Sequence, residues 1–407
     1  MKIYKVGGCV RDHLLGWEPK DTDYVVVGSS PAEMRSLGYK QVGADFPVFL
    51  HPETNDEYAL ARTEKKTYTG YCGFTSNWEG VTLEEDLSRR DLTINSMAMD
   101  DDGNIIDPFN GQRDLKYKRL RHTSEAFSED PVRVLRLARF HARLGSEWSV
   151  SAATFHLCTD LARSEFSSLT KERVWAETQK TLSEPHPELY FKFLRSVGEH
   201  HWFQELWDQY DIPQPIAHHP ENWVFKHTML CLQQGVRAGA TPEEMFAILC
   251  HDLGKPPCWK ERGNLHGHED TGIPYVEALC DRLGVPKSYR NLAIKVCKWH
   301  QYGHRILDVQ PKKVHKLFKG LDCIKNPSIL DSFLVCNVAD ARGRTGFEDR
   351  DYPQARYLEA CLGAVLEVDT KAVAKEAMEA GAKKEAIGER IRIAQINAIR
   401  GIKNGWE

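Results

Sequence analysis

Long apolar runs are absent from this 407-residue chain. No stretch approaches the ~20 consecutive apolar residues of a membrane-spanning helix, which excludes an integral membrane protein of that kind. The opening MKIYKVGG lacks the apolar core of a secretion signal and reads as the start of a strand. Paired cysteines are also missing: the eleven present are an odd number, scattered with no CxxC, which fits free thiols in a reducing cytoplasm rather than a disulfide framework. GxGxxG is absent, so there is no dinucleotide fingerprint. A basic excess is absent too: the net charge of −4 excludes a globally basic nucleic-acid coat and leaves local basic patches open. Internal repeats and low-complexity segments are not found. What is there is ordinary for a globular protein, 41% hydrophobic and 28% charged residues, at a length that requires two to four domains. The expectation is a soluble cytoplasmic protein with no membrane partner, a monomer or a homodimer.

The fold class reads as α+β. Residues 1 to about 112 alternate short β-rich runs (IYKV, DYVVVG, PVFLH, EYALARTE, NIIDPFNG) with turns, and VRDHLLG and PAEMRSLG read as helices, giving an α/β module with a small mixed sheet. From about residue 113 the strand signals fade. SEDPVRVLRLARFHARLG and TPEEMFAILCHDLGK carry apolar residues at helical spacing, and the remainder reads as nearly all α. Proline-containing stretches at 183–190 and 210–223 mark breaks between helical parts.

KDTDYVVVG places Asp21 and Asp23 two apart, where a strand period of two would put both carboxylates on one face. Convergent carboxylates repel unless a cation joins them, and oxygen ligands suit Mg²⁺ shared with substrate phosphates. Upstream, Val6-Gly7-Gly8-Cys9-Val10-Arg11-Asp12 runs from a strand through two glycines into a helix. Gly7 and Gly8 allow close backbone approach, the helix start attracts phosphate, and Arg11 offers a guanidinium fork.

This Gly-Gly and DxD arrangement on a small sheet resembles the nucleotidyltransferase superfamily that includes DNA polymerase β. Within it, GGCVRD…KDTDYVVVG…RRDLTINSMA…EDPVRVLRLARF is similar to the class II group, the CCA-adding tRNA nucleotidyltransferases and bacterial poly(A) polymerases, segment by segment through the first 145 residues. The resemblance implies two-metal nucleotidyl transfer to an RNA 3′-hydroxyl with CTP and ATP as substrates and tRNA as partner. A third carboxylate is usual in the superfamily. Glu57, on the EYALAR run, is the candidate, and the alternative of an edge-strand surface glutamate stays open.

In Glu129-Asp130-Pro131-Val132-Arg133 and the helix it opens, Arg133, Arg136 and Arg139 form one inclined stripe, with Leu135, Leu137 and Phe140 opposite. Cytosine and adenine both present an amino donor beside a ring-nitrogen acceptor, whereas uracil and guanine present a carbonyl and an N–H. A carboxylate that accepts and a guanidinium that donates therefore suit the first pair. The resemblance assigns this protein template to Asp130 and Arg133, places Arg136 and Arg139 nearer sugar and phosphates, and makes Arg90 a further nucleotide contact. RTEKKTYTGYCGF, residues 62 to 74, looks like the loop linked to the switch from C to A addition.

A second constellation follows. Ile248-Leu249-Cys250-His251-Asp252-Leu253-Gly254-Lys255 puts adjacent His and Asp at the end of an apolar helix stopped by glycine. Adjacent helical side chains diverge by about 100°, so a metal there needs ligands from elsewhere. His227 and Asp340 are candidates. The H…HDxGK…D order resembles the HD phosphohydrolase domain, which implies that His227, His251, Asp252 and Asp340 hold a divalent metal activating water against a phosphoester. His266, His268 and His300 would bind substrate or a second ion. An imidazole-rich shell suits Ni²⁺, Co²⁺ or Mn²⁺ better than Mg²⁺. CCA-adding enzymes of the gammaproteobacterial type carry such a domain, with phosphatase, 2′-nucleotidase and 2′,3′-cyclic phosphodiesterase activity. The implied organisation is a catalytic head over 1–112, a helical neck and body over 113–210, an HD domain over 211–342 and a helical tail over 343–407.

Two basic runs, 113–121 and 312–319, would follow an RNA backbone, recognised by shape rather than base sequence. The alternatives are a poly(A) polymerase of the same class, an HD phosphohydrolase whose head only binds nucleotide, and a noncatalytic RNA-binding protein. A GG motif beginning at residue 7, a mixed Glu and Lys tail and the HD set favour the CCA enzyme over the poly(A) polymerase, whereas CC-only addition stays open.

Overall fold

The computed structural model describes residues 1–19, 21–42, 48–66 and 74–406, without the side chains of 64–66 and 74–76. Contacts group the chain into two compact units, Met1–His201 and Trp202–Glu407. Among the described residues no helix is long and apolar enough to cross a membrane, and the ten described cysteines are all buried and unpaired with one another.

The first unit is built on a seven-stranded mixed sheet. Its strands, with the separate hairpin β6–β7, are β1 (Lys2–Val6), β2 (Asp23–Val27), β3 (Lys40–Val42), β4 (Val48–Leu50), β5 (Glu57–Leu60), β6 (Thr63–Lys66), β7 (Phe74–Asn77), β8 (Ala98–Met99) and β9 (Ile105–Ile106). The sheet order is β3-β4-β5-β2-β1-β8-β9. Every pairing is antiparallel except β2 with β5. The unbroken Val25-Val26-Val27 run is explained by burial on both faces. Val25 packs with Val6, Leu87 and Ala98 on one side, and Val26 with Met34, Phe49 and Leu60 on the other. Helices then take over: Val132–Leu144 buries Val134, Leu135, Leu137 and Ala138 and packs against Lys171–Thr181 and Pro187–Ser196. The segment expected to switch between C and A addition falls on the β6–β7 hairpin, and its residues 67–73 lie outside the described ones.

The second unit is helical throughout. Val224–Arg237, Pro242–Cys250, Lys287–His304 and Ser328–Arg342 pack on one another, each bringing part of one buried polar cluster to their common face. Pro242–Cys250 starts with a capping box between Thr241 and Glu244.

Candidate functional site

The first site forms where β2 and β5 run parallel. Asp23 is the register partner of Glu57, so these carboxylates share a face of the sheet, and both line a cavity of about 720 Å³. Asp21 sits on the exposed bend just before β2 rather than in the strand. Burial, and secondarily the neighbouring Asp21 charge, push the Asp23 carboxyl up against the pull of Arg90. A group of negative charge held this way favours a bound cation.

Gly7 adopts φ 77°, and a β-carbon there would stand 3.0 Å from Arg90 Nη1, so only glycine lets the turn pass this close. Arg11 is 2% exposed. Its Nε donates to Asp12 at 2.9 Å, its Nη1 to Asn95 at 2.6 Å, and its guanidinium lies 5.1 Å from the Phe140 ring centre. The expected phosphate fork is thus also a buried structural pivot.

The arginine stripe lines the same cavity, and the structure supplies each member with a carboxylate or carbonyl that the motifs did not reveal. Arg136 Nε donates to Asp91 at 2.8 Å, Arg139 Nε to Glu177 at 2.7 Å, and Arg133 Nη1 to the Ala126 carbonyl at 2.8 Å. Asp130 is gripped at both oxygens by Arg173, at 3.0 and 2.6 Å. Arg89 and Arg90 converge on the fully buried Asp86. Burial alone would raise that carboxyl, but the two guanidiniums outweigh it and hold it below the usual range. Asp91 behaves alike, with Arg136 as the dominant opposing charge. Asp91, Arg173 and Glu177 are marked by nothing local, because these partners lie 38 to 45 residues away, and Asp86, whose partners are three and four residues on, looks in the sequence like an ordinary helix-face ion pair.

The second site lies in the helical unit. His227 and Asp340 meet at 3.0 Å (Nε2 to Oδ1), His251 Nε2 stands 3.2 Å from Asp252 Oδ2, and the two cross distances are both 3.9 Å. Donor atoms about 2.1 Å from one ion would be separated by about 3.0 Å (octahedral neighbours) to 3.4 Å (tetrahedral), so the two short pairs meet that spacing and the two cross pairs would have to close by about 0.5 Å around an ion. On the other oxygen of Asp252 stand His268 Nε2 at 3.3 Å and His300 Nε2 at 3.7 Å, themselves 3.1 Å apart. Each of these imidazoles turns Nδ1 to a backbone carbonyl: His227 to Gly343 at 3.1 Å, His251 to Ile248 at 2.6 Å, His268 to Leu265 at 2.8 Å and His300 to Cys297 at 2.9 Å. With Nδ1–H donating there, every Nε2 lone pair faces inward, the orientation of metal-ligating histidine.

The residues fit a divalent ion by a further criterion. His251 Nε2 and both Asp252 oxygens are buried yet make no hydrogen bond, although Lys255 Nζ stands 2.5 Å from Asp252 Oδ2 as an ion pair. Burial would raise Asp252 and Asp340; for Asp252 the positive charge of a protonated His251 and of the Lys255 ammonium, and for Asp340 that of protonated His304 and His251, hold the carboxyl well below the carboxylate range, positive charge that a bound cation would supply in place of the His251 proton. Burial, reinforced by His268, drives His300 well below its ordinary value, leaving a neutral ring. His266 stands apart, exposed on the rim of a 360 Å³ cavity with His268, Lys255 and Arg305. Glu221, 3.0 Å from His227 Nδ1, and His304, 2.7 Å from Asp340, were not read from the sequence.

Gly254 corrects one expectation. It is not a left-handed helix stop: the Pro242–Cys250 helix ends four residues earlier, and Gly254 has φ −83°. Its role is close approach, since a β-carbon would fall 2.0 Å from the His268 carbonyl oxygen and 2.6 Å from Gly272 N. Gly254→Ala is expected to lower stability by about 2–3 kcal/mol through overpacking against backbone and to weaken metal binding, read as a fall in melting temperature and a weaker Co²⁺ isotherm.

Residues 3–121 match the poly(A) polymerase head domain family. Solved structures share the fold over nearly the whole chain: a CCA-adding enzyme in an apo form (TM-score 0.68, 21% identity, 99% of this chain and 88% of that one) and the Thermotoga maritima CCA-adding enzyme complexed with tRNA (TM-score 0.61, 19% identity, 100% and 92%). The first unit therefore carries the head of a poly(A)-polymerase-type nucleotidyltransferase. The multifunctional CCA protein of Thioalkalivibrio sulfidiphilus is 47% identical over 411 residues, covering 100% of both chains, and that of Haemophilus influenzae is 46% identical over 100% of this chain and 99% of its own. This chain belongs to the family of multifunctional CCA proteins.

Proposed function

We propose that the chain adds C, C and A to the 3′ end of tRNA without a nucleic-acid template, and that its helical unit hydrolyses phosphoesters at RNA ends. The observation that carries the first part is the pairing of Asp23 and Glu57 in one cavity with Asp130 and the arginine stripe. In the transfer step the RNA 3′-oxygen bonds to the α-phosphorus of CTP or ATP, the bond to pyrophosphate breaks, and the hydroxyl proton leaves to solvent. Mg²⁺ held by Asp21, Asp23 and Glu57 would supply the positive charge that favours the 3′-alkoxide and the leaving pyrophosphate. Arg90, Arg136 and Arg139 neutralise phosphate charge from the cavity wall. Asp130, its oxygens fixed by Arg173, accepts from the base amino group, while Arg133 donates to the ring nitrogen. Asp130→Ala is expected to cut discrimination between CTP and UTP by about tenfold to a hundredfold, the worth of one or two base-reading hydrogen bonds, measured as the ratio of single-nucleotide incorporation rates.

For the second unit the supporting observation is the convergence of His227, His251 and Asp340, with Cys231, beside a second group of Asp252, His268 and His300, the two joined where Asp252 approaches His251. A transition metal such as Ni²⁺, Co²⁺ or Mn²⁺ would there supply a nucleophilic water at neutral pH. Lys255 and Arg305, on the wall of the adjoining cavity, suit a phosphate substrate. Attack of water on the phosphorus of a 2′,3′-cyclic phosphate with cleavage of its P–O3′ bond would free the 3′-hydroxyl the head requires and leave a 2′-phosphate, which a second hydrolysis would release as inorganic phosphate; the two activities would then share a substrate. Exposed Arg113, Lys116, Lys118 and Arg119 on the first unit, and Lys312, Lys313, Lys316 and Lys319 on the second, are the proposed backbone contacts. The partition into head, neck, HD domain and tail is retained as the functional reading of the chain. Extension of a tRNA ending in a 2′,3′-cyclic phosphate tests the linkage: wild-type protein should extend it, and a variant disabled in the helical unit should extend only the free-hydroxyl form. Equal extension of both ends by that variant would refute it.

A further inference from the structure

We propose that His304 and Tyr352 are positioning residues of the metal centre, joined with Asn337 in a polar chain that fixes the Asp340 carboxylate and ties it to the backbone beside His300. The inference rests on the metal-centre reading above. His304 Nε2 lies 2.7 Å from Asp340 Oδ2, and its other ring nitrogen, Nδ1, lies 3.0 Å from the Tyr352 hydroxyl. Asn337 Nδ2 reaches the same hydroxyl at 3.3 Å and donates to the His300 carbonyl at 3.0 Å.

With the His304 ring neutral, the hydrogens in this chain have one consistent assignment. An ionised Asp340 only accepts, so His304 Nε2–H donates to it and Nδ1 accepts from Tyr352, whose oxygen in turn accepts from Asn337. The arrangement is built rather than incidental. Asn337 is fully buried and Tyr352 is 6% exposed. A β-carbon at Gly303 would stand 2.1 Å from Asn337 Nδ2, so glycine is what admits that side chain. Gln354 Nε2 holds the His304 carbonyl at 3.1 Å.

The consequence is directional. With Oδ2 held by His304, Asp340 presents Oδ1 alone to His227 Nε2 at 3.0 Å and His251 Nε2 at 3.9 Å. The chain also reaches both groups of candidate ligands, because one end is Asp340 and the other is the carbonyl of His300. Partners of this kind orient a ligating carboxylate and typically change metal affinity by about 10–100-fold when removed.

The test is calorimetric titration of Co²⁺ into the full-length, metal-stripped protein, carrying Asp21→Ala and Asp23→Ala to silence the head. His304→Ala is expected to weaken binding by about 10–100-fold and Tyr352→Phe by about tenfold, with His304→Gln, which keeps an N–H toward Asp340, recovering most of the loss. Melting in chelator should be nearly unchanged for Tyr352→Phe, which separates positioning from a merely structural role. Co²⁺ affinity of His304→Ala and Tyr352→Phe equal to the parent would overturn the inference. A parent whose Co²⁺ binding is absent, or is unaffected by His251→Ala, would overturn the metal-centre reading itself and the inference with it.

Discussion

Asp23→Ala should abolish nucleotide addition, by at least about a thousandfold in kcat, while phosphohydrolysis by the helical unit continues at the wild-type rate. The size follows from the charge the reaction develops. The attacking oxygen and the leaving pyrophosphate both become more negative, and an ion bound by carboxylates offsets several kcal/mol of that cost, at about 1.4 kcal/mol per tenfold in rate. Asp23 is seated in β2, beside Glu57 of β5, and both face the cavity. Asp21, on the exposed bend, has more freedom to move. The fold should survive the change. The apolar core around Val25 and Val26 does not use the Asp23 side chain. The comparison is single-turnover extension of tRNA ending at CC with ATP, alongside phosphate release from a cyclic-phosphate substrate, both on one preparation. Loss of both activities in a folded variant would sink the two-site account.

The reciprocal change carries the second large effect. Asp252→Asn should reduce phosphate release by at least about a hundredfold and leave CCA addition to a free 3′-hydroxyl intact. Asp252 faces both groups of imidazoles, one oxygen toward His251 and the other toward His268 and His300. An amide there binds a cation poorly and leaves the Lys255 ammonium, 4% exposed, without its counter-charge. The apo variant is therefore expected to melt lower as well, by the cost of an unpaired buried charge. Excess Co²⁺ should raise the wild-type melting temperature and have a much smaller effect on the variant, because a ligand that binds only the folded state stabilises it by mass action.

Motif residues were legible in the sequence where the chemistry demands particular side chains at short spacing. Asp23, the Gly7-Gly8 turn and the His251-Asp252 pair are examples. In the sequence Glu57 reads equally as a third carboxylate or an edge-strand surface glutamate, because its place beside Asp23 depends on β2 and β5 running parallel in a register that no local pattern encodes. The Val25–Val27 run announced a buried strand for a clear reason: both faces of the sheet are covered. The supporting carboxylates were not legible. Asp91, Asp86 and Glu177 look like any charged helix or turn residue until the fold lays a guanidinium against each. Arg173 is similar: it follows Lys171 and Glu172 as an ordinary helix start, yet it holds both oxygens of Asp130. In the second unit the candidate ligands stand out by their order along the chain, but Glu221, His304 and Tyr352 come from segments with no motif. Gly343 and Tyr352 lie beyond the boundary drawn at residue 342, and both bond to histidines of the cluster, the first to His227 and the second to His304.

The central claim is that protein side chains, rather than a nucleic-acid template, choose C and A at a single head site. It is tested most directly by incubating the purified protein and Mg²⁺ with tRNA transcripts ending at the discriminator base, after one C and after two, with each nucleotide singly and all four together. The account predicts that addition stops at CCA on every transcript, with UTP and GTP unused. A long A ladder on any RNA end, or incorporation of all four nucleotides alike, would contradict it.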